Sequence, residues 1–74
     1  MNARELVASC LDNPLMLDRI GDAEEFHTAG INSGEVIRIA LRCEEEVGRP
    51  LDDDELALAG TLQGIDRLLA KEVG

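Results

Sequence analysis

Apolar residues recur at Ala3, Leu6, Val7, Cys10 and Leu11, the i, i+3, i+4, i+7, i+8 spacing that lays a single stripe along a helix. This predicts a first helix from Ala3. Asn2 stands at its cap, Glu5 can reach back from the third position, and Pro14 is expected to stop it, because the residue before a proline avoids the helical region. Residues 13–31 keep no sustained period. Turn formers Gly21, Asp22, Thr28 and Gly30 are interspersed there with Leu15, Met16, Leu17, Ile20 and Phe26, so a long loop is expected to fasten itself to the core by those side chains. A connection of this length in so short a chain leans towards function.

A second helix is predicted from Ser33 to Val47, closed by Gly48 and Pro50, with Asn32 and Glu35 repeating the capping spacing of Asn2 and Glu5. At ~100° per residue, Val36, Ala40, Cys43 and Val47 fall within a narrow arc and form the expected buried stripe. Ile37 and Leu41 lie well off that arc. Arg38, Arg42, Glu35, Glu45 and Glu46 are expected on the polar face, with Glu44 beside Ile37 and Leu41. The result is a second, smaller apolar strip rimmed by charge, a surface that suits a partner; the plainer alternative packs Ile37 and Leu41 beneath the loop. Asp52 and Glu55 open a short helix to about Leu58, and Gly60 ends it. Thr61 then caps a last helix whose Leu62, Ile65, Leu68 and Leu69 share a face. No segment alternates with period two for long enough to make a strand. The expected architecture is all-α: one domain over residues 1–74, a small four-helix bundle of three longer helices and a short third one, with a long loop between the first two.

Charge narrows the function. The 74 residues carry 16 acidic and 7 basic side chains, a net −9, the wrong sign for a protein that must displace counterions from nucleic-acid phosphates. A chain this short buries roughly 60% of its unfolded surface, which leaves little room for a deep catalytic cleft. Hydrophobic content is 45% with Phe26 the one aromatic, so an aliphatic core is expected rather than a disordered acidic tail. No apolar run approaches the ~20 residues that span a bilayer, and the opening MNARELVASC lacks a cationic segment followed by an apolar block. A soluble, unsecreted, cytoplasmic protein with no membrane partner is expected. Cys10 and Cys43 have neither CxxC spacing nor a neighbouring His, and read as reduced, mostly buried thiols rather than metal ligands.

The catalytic inventory is thin. His27 has no nucleophile near it in sequence, no GxSxG elbow exists, and no catalytic residue is assigned. The run Asp52, Asp53, Asp54, Glu55 lacks the alternation, the sixth-position Gly and the distal Glu of a calcium loop. It reads as first-turn acidity that complements a helix dipole. There remains the stretch Phe26-His27-Thr28-Ala29-Gly30-Ile31-Asn32-Ser33-Gly34-Glu35-Val36-Ile37. It sets a serine hydroxyl between glycines where a loop becomes a helix, at the positive end of the helix dipole, a place that favours an attached anion such as a phosphodiester. Serine is also common at helix starts for conformational reasons alone.

Residues Phe26 to about Leu69 resemble the phosphopantetheine-binding carrier proteins, the acyl and peptidyl carriers, in their discrete free-standing form. In that family a loop Phe precedes a Gly-x-Asp-Ser-Leu or Gly-Gly-x-Ser-Leu motif at the start of the second helix, which often ends in a Leu-Glu-Glu-Glu-Phe-Gly-like sequence. Here Gly30-Ile31-Asn32-Ser33 stands at the motif, and Cys43-Glu44-Glu45-Glu46-Val47-Gly48 stands at the helix end with the matching offset; Leu62-Gln63-Gly64-Ile65-Asp66 is similar to the start of the last helix. The resemblance implies that Ser33 bears 4′-phosphopantetheine, installed from coenzyme A by a magnesium-using phosphopantetheinyl transferase. It implies a non-catalytic, monomeric carrier of acyl or aminoacyl thioesters in fatty-acid, polyketide or nonribosomal-peptide-type biosynthesis. Its partners would be that transferase, an acyl- or aminoacyl-loading ligase or transferase, and downstream synthase or tailoring enzymes. The docking residues would be Asn32, Gly34, Glu35, Ile37, Leu41, Glu44 and Glu45. The alternative is a carrier-like helical adaptor that binds a partner through the second helix without modification of Ser33. Asn32 stands where acyl carriers usually have Asp, Gly34 where most members have Leu, and Ala29 where a Leu often fills the loop. Arg38 and Arg42 add positive charge to a helix that is often strongly acidic, which implies different partners. Residues 22–55 hold 11 acidic and 3 basic side chains, so −8 of the net charge lies around Ser33, the second helix and the turn after it.

Overall fold

The structure is a computed structural model and describes residues 1–73, with side chains through Lys71. Five helical segments follow one another: α1 (Ala3–Ala8), a 3₁₀ helix (Pro14–Arg19), α2 (Ser33–Val47), α3 (Asp53–Leu58) and α4 (Leu62–Val73). No strand occurs among the described residues. The apolar face of α4 (Leu62, Ile65 and Leu68) is fully buried, and α4 packs against α1, α2 and α3. The remaining core comes from Leu6 and Val7 of α1, Ile39 and Cys43 of α2, and the loop residues Leu17, Ile20, Phe26, Ile31 and Leu51. A radius of gyration of 11.1 Å matches the ~11 Å expected of a folded chain of this length.

Each N-cap side chain read from spacing accepts its bond, but among the described residues the reciprocal reach of a Glu back to the cap N–H forms only at Asp52 and Glu55. Asn2 Oδ1 accepts from Glu5 N at 2.9 Å, and Asn32 Oδ1 from Glu35 N at 2.8 Å. Asp52 and Glu55 exchange both bonds of a capping box, and Thr61 Oγ1 accepts from Gly64 N at 2.9 Å. Left-handed Gly48 closes α2. At Gly64 the restriction is one of space: a Cβ there would lie 1.9 Å from the Leu58 carbonyl oxygen. Only a glycine lets the end of α3 approach α4 so closely.

Three expectations are corrected. First, α1 spans six residues and is as short as α3, so only α2 and α4 are long. The chain tightens at its end: Cys10 N donates to Val7 O at 2.9 Å and the Ser9 hydroxyl to Leu6 O at 2.6 Å. Arg38 takes the Cys10 carbonyl at 2.9 Å. Cys10 and Leu11 remain buried beyond the helix. Second, Pro14 opens a helix instead of ending one, because its fixed φ suits a first helical position while Asn13 Oδ1 accepts from Leu15 N at 3.3 Å. The loop does fasten itself through Leu17, Ile20 and Phe26, but Met16 is half-buried and Leu15 is 73% exposed.

Third, the buried line of α2 is Glu35, Ile39 and Cys43, whereas Val36, Ala40 and Val47 are half-buried. The helix is rotated relative to the expected stripe: Ile39 and Cys43 bury their apolar surface in the core, and Glu35 on the same line is tolerated inside because it finds hydrogen-bond donors there. Ile37 and Leu41 consequently face outward rather than under the loop, 61% and 54% exposed.

The long connection is held at both ends. Arg4 donates to Leu17 O at 3.1 Å and pairs with Asp22 at 3.1 Å. Further along, Phe26 N donates to Gly60 O and Gln63 N to Asp22 O, each at 2.9 Å, which binds the loop to the α3–α4 turn. These contacts fix the approach of the chain to Ser33. No helix among the described residues is long and apolar enough to cross a membrane.

Candidate functional site

The chain before α2 winds a tight turn. Ala29 N donates to Glu25 O and Ile31 N to Phe26 O, at 3.0 and 3.1 Å. Between them Gly30 has φ +95°, a conformation that side chains with a Cβ rarely adopt, and this reversal returns Ile31 to the core at 4% exposure. Phe26 and Ile31 therefore anchor the turn from below. Asn32 follows in extended conformation as the cap, and Ser33 is the first residue of α2.

Asn32, Ser33 and Gly34 are all exposed. The Ser33 hydroxyl has no hydrogen-bond partner among the described residues. Two of the first-turn N–H groups are spoken for: Glu35 N by Asn32 Oδ1 and Val36 N by Asn32 O. Those of Ser33 and Gly34 point out of the helix end, where the helix dipole favours negative charge. Ile37 and Leu41 continue from this end along the outer face of α2. Arg42 bridges Glu45 and Glu46 on its flank, each at 3.0 Å. The arrangement can present a nucleophilic hydroxyl, accept an anion on it, and offer an apolar strip with charged borders beside it.

The expected docking residues divide. Asn32, Gly34, Ile37, Leu41 and Glu45 lie on the exposed surface. Glu35 does not: it is 7% exposed, and its carboxylate accepts from Asn32 Nδ2 at 2.6 Å and from Asp12 N at 3.2 Å. Glu44 is half-buried and accepts from Leu51 N at 2.9 Å, which ties the end of α2 to the following loop. Both carboxylates are thus occupied inside the fold. The contact of Glu35 with Asp12 had no local signal, because the two are 23 residues apart in the chain.

The other chemistry-bearing side chains are elsewhere. His27 is exposed and meets Glu25 at 3.2 Å. Cys10 and Cys43 are free and buried. Burial first, then repulsion from nearby Cys10, Glu44 and Glu46, pushes the Cys43 thiol up to about 11. At neutral pH it stays protonated and is a poor nucleophile. Among the described residues no group of three or more His, Cys, Asp or Glu could hold a metal ion. No protein-family model, curated protein or solved structure matches the chain.

Proposed function

We propose that the chain is a phosphopantetheine-dependent carrier protein in which Ser33 is the attachment residue. The observation that carries this reading is the Ser33 hydroxyl, exposed and without a hydrogen-bond partner among the described residues, at the start of a 15-residue helix. The order of residues around it, from Phe26 through Gly30, Asn32 and Ser33 to Glu44, Glu45 and Glu46, supports the same reading. On it, α1 to α4 form the family's four-helix bundle and the 3₁₀ helix lies within its first connection.

The surroundings of Ser33 fit a phosphodiester. No side chain stands over the hydroxyl from position 34, and the free N–H groups of the first turn offer hydrogen bonds to phosphate oxygens. During modification Ser33 Oγ attacks the phosphorus of coenzyme A that bears the pantetheine arm. A P–Oγ bond forms, the P–O bond to 3′,5′-adenosine bisphosphate breaks, and the serine proton passes to a base of the transferase. When attached, the arm supplies a terminal thiol that holds an acyl or aminoacyl group as a thioester. The chain itself performs no catalysis on the cargo. Ser33 fixes one end of the tether, which raises the cargo's effective concentration at an enzyme docked on α2. Asn32 keeps the turn capped, while Ile37 and Leu41 give a partner an apolar footing next to the modified residue.

The test is direct. Incubation with coenzyme A, magnesium and a broad-specificity phosphopantetheinyl transferase is expected to add the mass of one phosphopantetheine to the intact protein and none to Ser33→Ala. Absence of that gain in the wild type, with a transferase from the protein's own source included, overturns the carrier reading in favour of an unmodified helical adaptor.

A further inference from the structure

Glu35 and Glu55 are the buried charged side chains among the described residues, and each occupies the third position of its helix. Their environments differ. Glu55 is gripped by Arg49 through two bonds of 2.7 Å and approached by Lys71 at 3.5 Å, so the acidic cap Asp52 beside it is tolerated. Glu35 has no cation within ion-pair distance among the described residues. Its carboxylate is held by two neutral donors, the Asn32 side-chain amide at 2.6 Å and the Asp12 backbone N–H at 3.2 Å. In return Asn32 Oδ1 accepts from Glu35 N at 2.8 Å. One turn further on, Arg38 donates to Cys10 O at 2.9 Å and stands 3.6 Å from the Asp12 carboxylate. Two side chains on one edge of α2 therefore clamp the segment Cys10–Asp12 against the turn that contains Ser33.

We propose that Glu35 is a positioning residue for Ser33, acting through Asn32 and the Asp12 N–H to hold the first turn of α2 in one orientation, and that this clip makes the amide of Asn32 obligatory. The proposal rests on the carrier reading for its consequence in Ser33 modification, but the clip itself does not. The first turn of a helix frays readily unless its end is tied. Here it is tied to the segment that follows α1, so the direction in which Ser33 Oγ leaves the surface follows from two segments packed together. A carboxylate at position 32 would face that of Glu35 across 2.6 Å with no cation to relieve the repulsion. Exchanging the roles restores every bond: an Asp at 32 accepts from residue 35 N and from a Gln side-chain amide at 35, whose carbonyl oxygen accepts from Asp12 N.

The experiment compares wild type, Asn32→Asp, Glu35→Gln and the double variant N32D/E35Q. Two measurements are made: steady-state transfer of phosphopantetheine from coenzyme A, followed by intact mass, and amide hydrogen exchange at Asp12 and at residue 35. The single variants are expected to lower kcat about tenfold, a usual consequence of a misdirected reacting atom. KM for Glu35→Gln should change less than about twofold, because Glu35 is buried and the exposed docking residues are untouched. Asn32→Asp should also lose exchange protection at Asp12. The double variant should recover rate and protection together. Singles that load like wild type, or a double variant that fails to recover, overturn the positioning role. If wild type accepts no phosphopantetheine, the carrier reading fails separately; the exchange data still decide the clip, which is overturned if Asp12 is equally protected in N32D.

Discussion

Glu55 shows how much one side chain can depend on partners that its neighbours in sequence do not announce. The spacing Asp52 to Glu55 foretold a capped first turn, and the capping box forms. The spacing did not foretell that Glu55 is buried under Arg49 and Lys71. The hydrogen bonds from Arg49, then that from the Asp52 N–H, pull its carboxyl from an ordinary 4.5 down to about 2. A carboxyl lowered on folding contributes stability that is complete above its unfolded pKa and is lost as pH falls through the folded one. The melting temperature is therefore expected to decline between pH 4.5 and pH 2. Glu55→Gln should lower it at pH 7 and flatten that decline; thermal melts across the range, followed by circular dichroism, check both. A decline of equal steepness in the variant would assign acid sensitivity to other carboxylates.

At the scale of the element, α2 has two apolar sides with different fates. Ile39 and Cys43 enter the core, and Ile37 and Leu41 stay outside. The outer pair was legible from the helical period, since residues so far round from Cys43 cannot share its face. The inner line was not, because Ile39 shares its edge with Glu35, and a carboxylate is ordinarily placed outside. Helix ends were legible wherever a cap was local: Asn2, Asn32, Asp52, Gly48 and Thr61. They were misread where distant groups intervene, as at the end of α1, where Arg38 takes a carbonyl. Because Leu41 is 54% exposed, Leu41→Glu should change stability by no more than about 0.5 kcal/mol. It should still raise KM for loading by about tenfold or more if partners rest on the strip. Urea unfolding and loading kinetics test the two halves, and unchanged kinetics would remove Leu41 from the docking surface.

For the whole molecule, the acidity is regional. Residues 22–55 carry −8 of the net −9, and Glu35, Glu44 and Glu55 spend their charge on internal contacts. What remains on the surface, including Glu45, Glu46 and the Asp52–Asp54 run, still makes a negative field along the later part of α2 and over the turn after it. Association with a basic enzyme surface should accelerate in that field and slow as salt screens it. Raising salt from about 0.05 to about 0.5 M is expected to lower kcat/KM for Ser33 loading roughly tenfold while leaving kcat nearly constant. A salt-independent kcat/KM would mean that docking is apolar alone. The periodicity, the capping pairs and the charge balance were determined by the sequence itself, because helices, caps and net charge depend on residues a few positions apart or on simple sums. The burial of Glu35, the rotation of α2 and the shortening of α1 were decided only in three dimensions. Their causes are donors such as Asp12 N and the Arg38 guanidinium, brought to their acceptors by packing across chain separations that no local pattern encodes.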